Sequence, residues 1–406
     1  MRRLAPLSGC AALLLFGCGP VDTGTGAGSA GGTGDGGAIW TQGGGTPDAG
    51  SAADAGVDAG STGGADAGLD GGGAGADAGT VSSACSGVVP AQNPAVRVAV
   101  VPHASGEVCY NFTSDGEAHV AAEAHSDNGA DPHWQTFALD GSRAGAFFAG
   151  FDLQGQATGF EGTHRESSVT SLLRWSGAGA EQRRTQLGGA GCSGASYISA
   201  LPGKGTLTLG GCGSGPLTAT YFDTTGSAIV SRPVADKLVA ASGVVDTNGA
   251  ILIAISPGSA VGSKSDVVAR WFNGQLAPTT DWFALPGSGA PFVRPLIGGG
   301  AAVQSSGTWV ATVASGVAGY GPGPSWLVSR PLHDYQIVRG GRAYALVPKY
   351  GAPARNQLDL VDPAGNLCGT GTFPGAEGLS VGTDGTVIGS GGEGGCSMTW
   401  WPAVLR

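Results

Sequence analysis

The sequence is short of charge. Only 12% of its 406 residues are Asp, Glu, Lys or Arg, lysine occurs four times, and the net charge is −10. A nucleic-acid surface needs clustered Lys and Arg, and no segment gathers them, so that partner is excluded. Long apolar runs are also missing. After the first eighteen residues nothing approaches the ~20 apolar residues with which a helix crosses a bilayer. A period of 3.6 is absent as well. The nearest approach, Glu117–His125 (EAHVAAEAH), alternates well enough to be a strand, which argues against a helical domain. There is no Cys-x-x-Cys pair to frame a zinc site and no phosphate-binding loop ending in Lys-Ser/Thr. No cofactor is expected.

What is present begins with an export signal. Met1-Arg2-Arg3 is basic, and Leu4 to Gly17 is mostly apolar, densest at Leu13, Leu14, Leu15 and Phe16. This is the pattern of a secretory signal peptide, too short to span a membrane. Leu15-Phe16-Gly17-Cys18 resembles the lipobox of bacterial lipoproteins, with Phe16 bulkier than is usual at its position. The resemblance implies that residues 1–17 are removed and that the Cys18 thiol carries a diacylglycerol. Each buried CH₂ of such a chain contributes about 0.8 kcal/mol to membrane binding. Gly19 after the cysteine resembles the sorting pattern for the outer membrane or cell surface, with the periplasm as the alternative.

Residues 18–84 are built from Gly, Ala, Ser, Thr and Asp. Asp-Ala-Gly recurs at Asp48, Asp54, Asp58, Asp66 and Asp77, there is no Lys or Arg, and eight Asp give −8. Such a segment buries too little apolar area to offset its ordering entropy and reads as a disordered tether. Its r.m.s. span is about 45 Å. Single Asp residues spaced so irregularly do not build the six-to-eight-oxygen cage that calcium requires.

Residues 85–406 read as one all-β domain. Short apolar runs at Val96–Val101, Thr206–Leu209, Ala250–Ile255, Trp309–Val313 and Ala343–Val347 are bounded by Gly, Pro, Asn or Asp, the pattern of strands and turns. Two kinds of Asp/Asn-Gly turn recur. One is seen at Asp246–Gly249 and Asp384-Gly385. The other is seen at Asp140-Gly141, Asp223–Gly226, Asn273-Gly274 and Asp362–Gly365. Asp caps such a turn and Gly takes the positive φ. Gly226 and Gly274 are 48 residues apart, Gly274 and Gly365 are 91, and Gly249 and Gly385 are 136. A unit of about 45 residues with two hairpin turns is what a four-stranded propeller blade produces. Residues 244–275, with VVARWFNGQ after a Ser/Gly-rich loop, resemble the degenerate β-propeller repeats of secreted bacterial proteins. The length fits seven blades, or six, with a β-sandwich pair or β-helix as the other architectures. Val96–Val101 and Met398–Leu405 are placed to close the ring. Trp175 and Trp271 each follow Arg at matching repeat positions and are expected in blade cores.

Outside the signal and Cys18, six cysteines remain: Cys85, Cys109, Cys192, Cys212, Cys368 and Cys396. An even number in an exported protein reads as disulfides, with fifteen connectivities open. Grouping along the chain suggests Cys85–Cys109, Cys192–Cys212 and Cys368–Cys396. His119, His125, Asp127, Asp131 and His133 lie within fifteen residues and are weak candidates for a metal, in a spacing that matches no zinc pattern. Gly378-Leu379-Ser380-Val381-Gly382 has the form of a nucleophile elbow but leads into a hairpin turn rather than a helix, so no catalytic residue is assigned. The functional expectation is a tethered, non-catalytic propeller that binds a protein or glycan. The alternatives are an envelope glycan hydrolase or lyase and a structural envelope protein. The sequence does not set the oligomeric state.

Overall fold

The computed structural model describes Ile39–Thr41 and residues 96–405, apart from 118, 127–131, 167–168, 188–194, 202, 212–214, 258–265, 306, 331, 339, 350, 393–394 and 403. Seven antiparallel sheets follow one another along the chain. Their first strands begin at residues 107, 151, 195, 240, 292, 333 and 378, so the unit repeats every 41 to 52 residues. Each sheet is an up-and-down meander, as in blade four, with strands Ala240–Val245, Ile251–Ser256, Asp266–Phe272 and Phe283–Ser288. From blade seven through blade one to blade five, first strands of neighbouring blades contact one another, which puts first strands on the inside of the ring and fourth strands on the outer rim. The domain is a seven-bladed β-propeller. We call the end at which the first strands begin the upper face. The turns after the first and third strands of each blade lie on the lower face, and the connection between the second and third strands lies on the upper face.

The chain ends close the ring. Arg97–Val100 serves as the outer strand of blade seven, paired antiparallel with Ser397–Trp401 in the register Arg97↔Trp400 to Val100↔Ser397. Cys109, on the first strand of blade one, is bonded to Cys396 across a separation of 287 residues. This corrects the pairing by neighbourhood: Cys109 is not joined to Cys85, nor Cys396 to Cys368, although Cys368 is itself disulfide-bonded. Closure brings distant segments into contact, and distance along the chain says nothing about that. Cys192 and Cys212 lie outside the described residues, as do Cys18 and Cys85.

Within the spacer, Ile39–Thr41 forms a fifth strand on the outer edge of blade six. It is antiparallel to Leu367–Thr372 in the register Ile39↔Thr372, Trp40↔Gly371, Thr41↔Thr370. The described helix is a single turn, Ser325–Val328, between blades five and six, which buries Trp326 and Leu327.

The core is distributed among the blade junctions. One apolar cluster fills each, such as Val244, Leu252, Trp271, Val293 and Val303 between blades four and five. Trp175 and Trp271 are buried as expected. At the junction of blades two and three the described apolar cluster includes Leu172 and Phe222 with Leu187 against them. There Glu161, fully buried, receives Arg174 Nε at 2.5 Å and the hydroxyl of Thr206 from blade three.

The two kinds of turn expected from the sequence occupy two positions. Asp223, Asn273 and Asp362 cap the outer hairpin of their own blades through backbone N–H groups two and four residues on. Asp115, Asp246 and Asp384 sit on the inner hairpin, are buried, and also bind the next blade. Asp115 Oδ2 accepts from Gly159 N at 2.9 Å, Asp246 Oδ2 from Gly300 N at 2.8 Å, and Asp384 Oδ1 from Ser114 Oγ at 2.6 Å. Around Ser114 the blades meet too closely for any side chain on Gly382, where a Cβ would lie 1.5 Å from Ser114 Oγ.

Candidate functional site

The histidine-rich segment of blade one is divided by its own strand. His119 stands at the lower end of Val120–Ser126 and His125 near the upper end. Six residues at ~3.3 Å each put them about 20 Å apart, so the five suggested metal ligands do not converge. Asp127 and Asp131 lie outside the described residues. His119 Nδ1 lies 3.0 Å from Asp115 Oδ2, and the ligand atoms of Asp115, Glu117 and His119 fall within 4.8 Å of one another. Both Asp115 oxygens are already committed: Oδ1 to the amides of Glu117 and His119, Oδ2 to Gly159. The trio is a turn cap joined to the next blade. The segment Gly378–Val381 is an inner strand entering the Asp384 turn, so the elbow-like motif has no elbow geometry.

The upper face of blades one and two holds a different constellation. His133 opens the third strand of blade one, with Nε2 3.9 Å from Glu107 Oε2 and its ring edge-on to Phe147 at 5.0 Å. Phe147 is 44% exposed and Phe151, at the start of blade two, 39%. The first strand of blade one carries Asn111, its second strand carries Glu123 and His125, and the first strand of blade two carries Asp152. Asn111 Nδ2 donates to Glu123 Oε2 at 2.5 Å. Val120, Ala122 and Ala124 pack toward blade seven, so strand alternation turns Glu123 and His125 toward blade two.

Two irregularities aim these side chains. The inner strand of blade one breaks register between Cys109 and Phe112, where Asn111 sits. The inner strand of blade two breaks register between Phe151 and Gln154, where Asp152 takes φ +52°. Bulges of this kind redirect side chains and gather next to functional sites. A non-glycine residue in the left-handed region stores strain that the surroundings must hold.

The electrostatics agree. Glu123 is 5% exposed, and burial pushes its carboxyl above the ordinary value. The Asn111 bond and His125 pull it back, and Asp152 pushes it further up. Burial also raises Asp152, although its surface is open to solvent. Both hold for a group in the wall of a channel mouth, surrounded by protein yet touching water, and that water tempers the shift. A carboxyl raised in the folded state favours folding below its ordinary pKa and loses that contribution as pH rises through the raised value. Glu123→Gln is therefore expected to be more stable than the parent at pH 7 and equal to it near pH 4. Urea titrations at the two pH values read this, and a deficit at pH 7 would contradict the assignment.

A second cluster lies across the ring on blades five and six. Arg294 Nη2 is 2.7 Å from Asp334 Oδ2 and its guanidinium stands 5.2 Å from the Phe292 ring centre. Lys349 lies 5.8 Å from that of Trp309, with its ammonium pKa lowered by burial. The upper face thus carries Glu107, Glu123 and Asp152 on blades one and two, and the Arg294–Asp334 pair with Lys349 on blades five and six. A shallow open cleft on the outer rim, lined by Phe148, His164, Trp175, Glu181 and Arg184, is separate from it. Its Arg184 is spent on Glu181 at 2.9 Å and Glu166 at 3.2 Å.

Sequence reasoning missed Asn111, Glu123 and Asp152. The available signal was Glu123, a lone carboxylate in the small apolar run VAAEA. Trp134, Trp175, Trp271, Trp309, Trp400 and Trp401 are buried, and among the described residues the exposed rings are Phe147, Phe151 and Tyr320.

No family model matches the chain, and no curated protein matches it. Solved structures similar to it include BBS1N in complex with ARL6DN, at 11% identity over 76% of this chain and 94% of that one, TM-score 0.43. The WD40 domain of coronin from Toxoplasma gondii matches at 12% identity over 79% and 89%, TM-score 0.41. Puromycin hydrolase matches at 15% identity over 70% and 50%, TM-score 0.44. Likeness of this degree assigns nothing to the chain.

Proposed function

We propose that the chain is a binding propeller, held at a bacterial outer membrane or cell surface by lipid on Cys18, that takes a glycan on the upper face of blades one and two. The observation that carries the reading is the exposed pair Phe147 and Phe151 beside the carboxylates of Glu107 and Asp152 and the imidazole of His133. Aromatic faces pack against the apolar faces of sugar rings while carboxylates accept from their hydroxyls. A flat protein partner would favour a contiguous apolar patch of several hundred Å², and here the two rings stand among ionisable groups. The anchor rests on Leu15–Cys18 and the spacer composition. Mass spectrometry of the mature protein should find a diacylated Cys18 at its N-terminus, and an unacylated one removes that part of the reading.

The ligand part is tested with the mature chain on a glycan array followed by calorimetry. Phe147→Ala and Phe151→Ala should each weaken the bound glycan about tenfold, the worth of one aromatic contact of ~1.4 kcal/mol. Unchanged affinity in both variants, or no glycan bound, refutes it.

One observation favours a second reading, a glycan hydrolase. Glu123 and Asp152 are both pushed upward, and a raised carboxyl is what a general acid needs at neutral pH. Turnover of the bound glycan, abolished in Asp152→Asn, would establish it over simple binding.

A further inference from the structure

Lys349 stands on the upper face of blade six without a counter-charge of its own. It follows the second strand, Tyr344–Pro348, and Leu332 precedes the first, His333–Ile337. His333 pairs with Pro348, and Lys349 N donates to the Leu332 carbonyl at 2.5 Å, so the two residues stand side by side at the end of the ladder. Lys349 is half-buried, with Nζ 5.8 Å from the centre of the Trp309 ring. The acid that acts on it is Asp334, and that carboxylate is already spent. Its Oδ2 takes Arg294 Nη2 at 2.7 Å and its Oδ1 the Tyr335 amide at 2.8 Å. Among the described residues no carboxylate comes within ion-pairing distance of Lys349. Two cations thus share one acid, and burial of the second is uncompensated. Trp309 is 4% exposed, covered by Tyr335 at 5.3 Å, and its indole N–H is given to the His333 carbonyl. It fixes the ammonium and offers no face to a ligand. Beside the ammonium the surface is apolar. Leu332 is 50% exposed and held at φ +63°, an uncommon conformation for a bulky residue and one that strains the backbone to present its side chain.

We propose that Lys349 and Leu332 form a second binding site of the propeller, one that takes the C-terminal carboxylate of a peptide ending in an apolar residue. The ammonium donates charge-assisted hydrogen bonds to the carboxylate, and the last side chain packs on Leu332. The charge left over is a single positive one, which suits a monoanion. A phosphate dianion would bring its second charge against Asp334 with no further cation to meet it. A uronic acid presents a carboxylate too, but its hydroxyl-covered ring leaves Leu332 in water. The combination of one cation with one exposed aliphatic side chain favours the peptide terminus, a group that other proteins capture by its carboxylate. This site does not rest on the glycan reading of blades one and two, and either can fail without the other.

The test uses the mature full-length chain and calorimetry with short alanine-glycine peptides. One ends in leucine with a free carboxylate, one is the same peptide as its C-terminal amide, and one ends in glycine with a free carboxylate. The free leucine-ended peptide should bind at least about tenfold more tightly than its amide, the worth of one hydrogen bond between charged groups. Lys349→Met keeps the apolar stem against Trp309 and drops the charge, so it should abolish the difference between acid and amide. Leu332→Gly takes up the positive φ without strain and should abolish the preference for leucine over glycine at the peptide's end, while the acid still binds better than the amide. No binding of the free acid, equal binding of acid and amide, or an acid preference that survives Lys349→Met overturns the proposal. A leucine preference that survives Leu332→Gly removes the apolar half of it. A glucuronate oligosaccharide that displaces the peptide at equal or lower concentration would assign the site to acidic sugars and overturn the peptide assignment. The peptides carry no sugar, so the outcome is told apart from that of the glycan array.

Discussion

Replacing Cys109 and Cys396 together by alanine is expected to lower the free energy of unfolding by about 5 kcal/mol. The bond spans 287 residues, and the denatured-chain entropy that a cross-link removes grows with the logarithm of loop length, reaching about 4.7 kcal/mol for 100 residues. Its position adds a second effect. A propeller is closed by four short strands at one blade, and here one of them, Arg97–Val100, comes from the other end of the chain. Cys396 immediately precedes Ser397–Trp401, to which that strand pairs, and Val101 N donates to the Cys396 carbonyl at 2.9 Å. Without the bond, blade seven is the place to open. Urea titration followed by tryptophan fluorescence measures the loss, with Trp400 and Trp401 buried at the junction. Amide exchange should show Arg97–Val100 opening first. A loss under about 1 kcal/mol, or opening that begins at another blade, would mean that strand pairing alone closes the ring.

Arg174→Met should cost about 3–5 kcal/mol, the toll of leaving a buried charge without its partner. Glu161 is fully enclosed and reaches from blade two to Thr206 of blade three. Arg174 approaches it at 2.5 Å and also donates to the Thr224 carbonyl at 2.6 Å. At the other junctions a cluster of branched and aromatic side chains does this work. At this one the polar bridge spans the two blades beside Leu172 and Phe222. The double variant Glu161→Leu, Arg174→Met should recover most of the loss, because replacing a whole buried pair with apolar groups is often neutral or stabilising. Three stabilities from thermal unfolding decide it. A double variant no better than Arg174→Met alone would show that shape, not charge, fixes this junction.

Much of the architecture could be read from residues alone. Apolar runs bounded by Gly, Asn and Asp are strands, and the turn spacing of about 45 residues is the blade. Val96–Val101 and Met398–Leu405 do meet at the closure. The histidine segment was legible only as composition. Which of its residues share an end of the strand depends on where Val120–Ser126 begins, and one strand length separates His119 from His125. The Glu123 and Asp152 pair was invisible because it arises from two register breaks on different blades, and a bulge leaves no reliable mark on one sequence.

The sequence by itself determined the elements that short range physics controls. Alternation sets a strand, and Asp two to four residues before an amide caps a turn. Only the tertiary structure decided what each element touches. Asp223 and Asp246 cap turns by the same local bonds, yet the second oxygen of Asp246 holds the next blade through Gly300. The same closure set Cys109 against Cys396 rather than against its neighbours in the chain. Capping needs four residues of backbone, whereas contact between blades depends on a ring that exists only once all seven have folded.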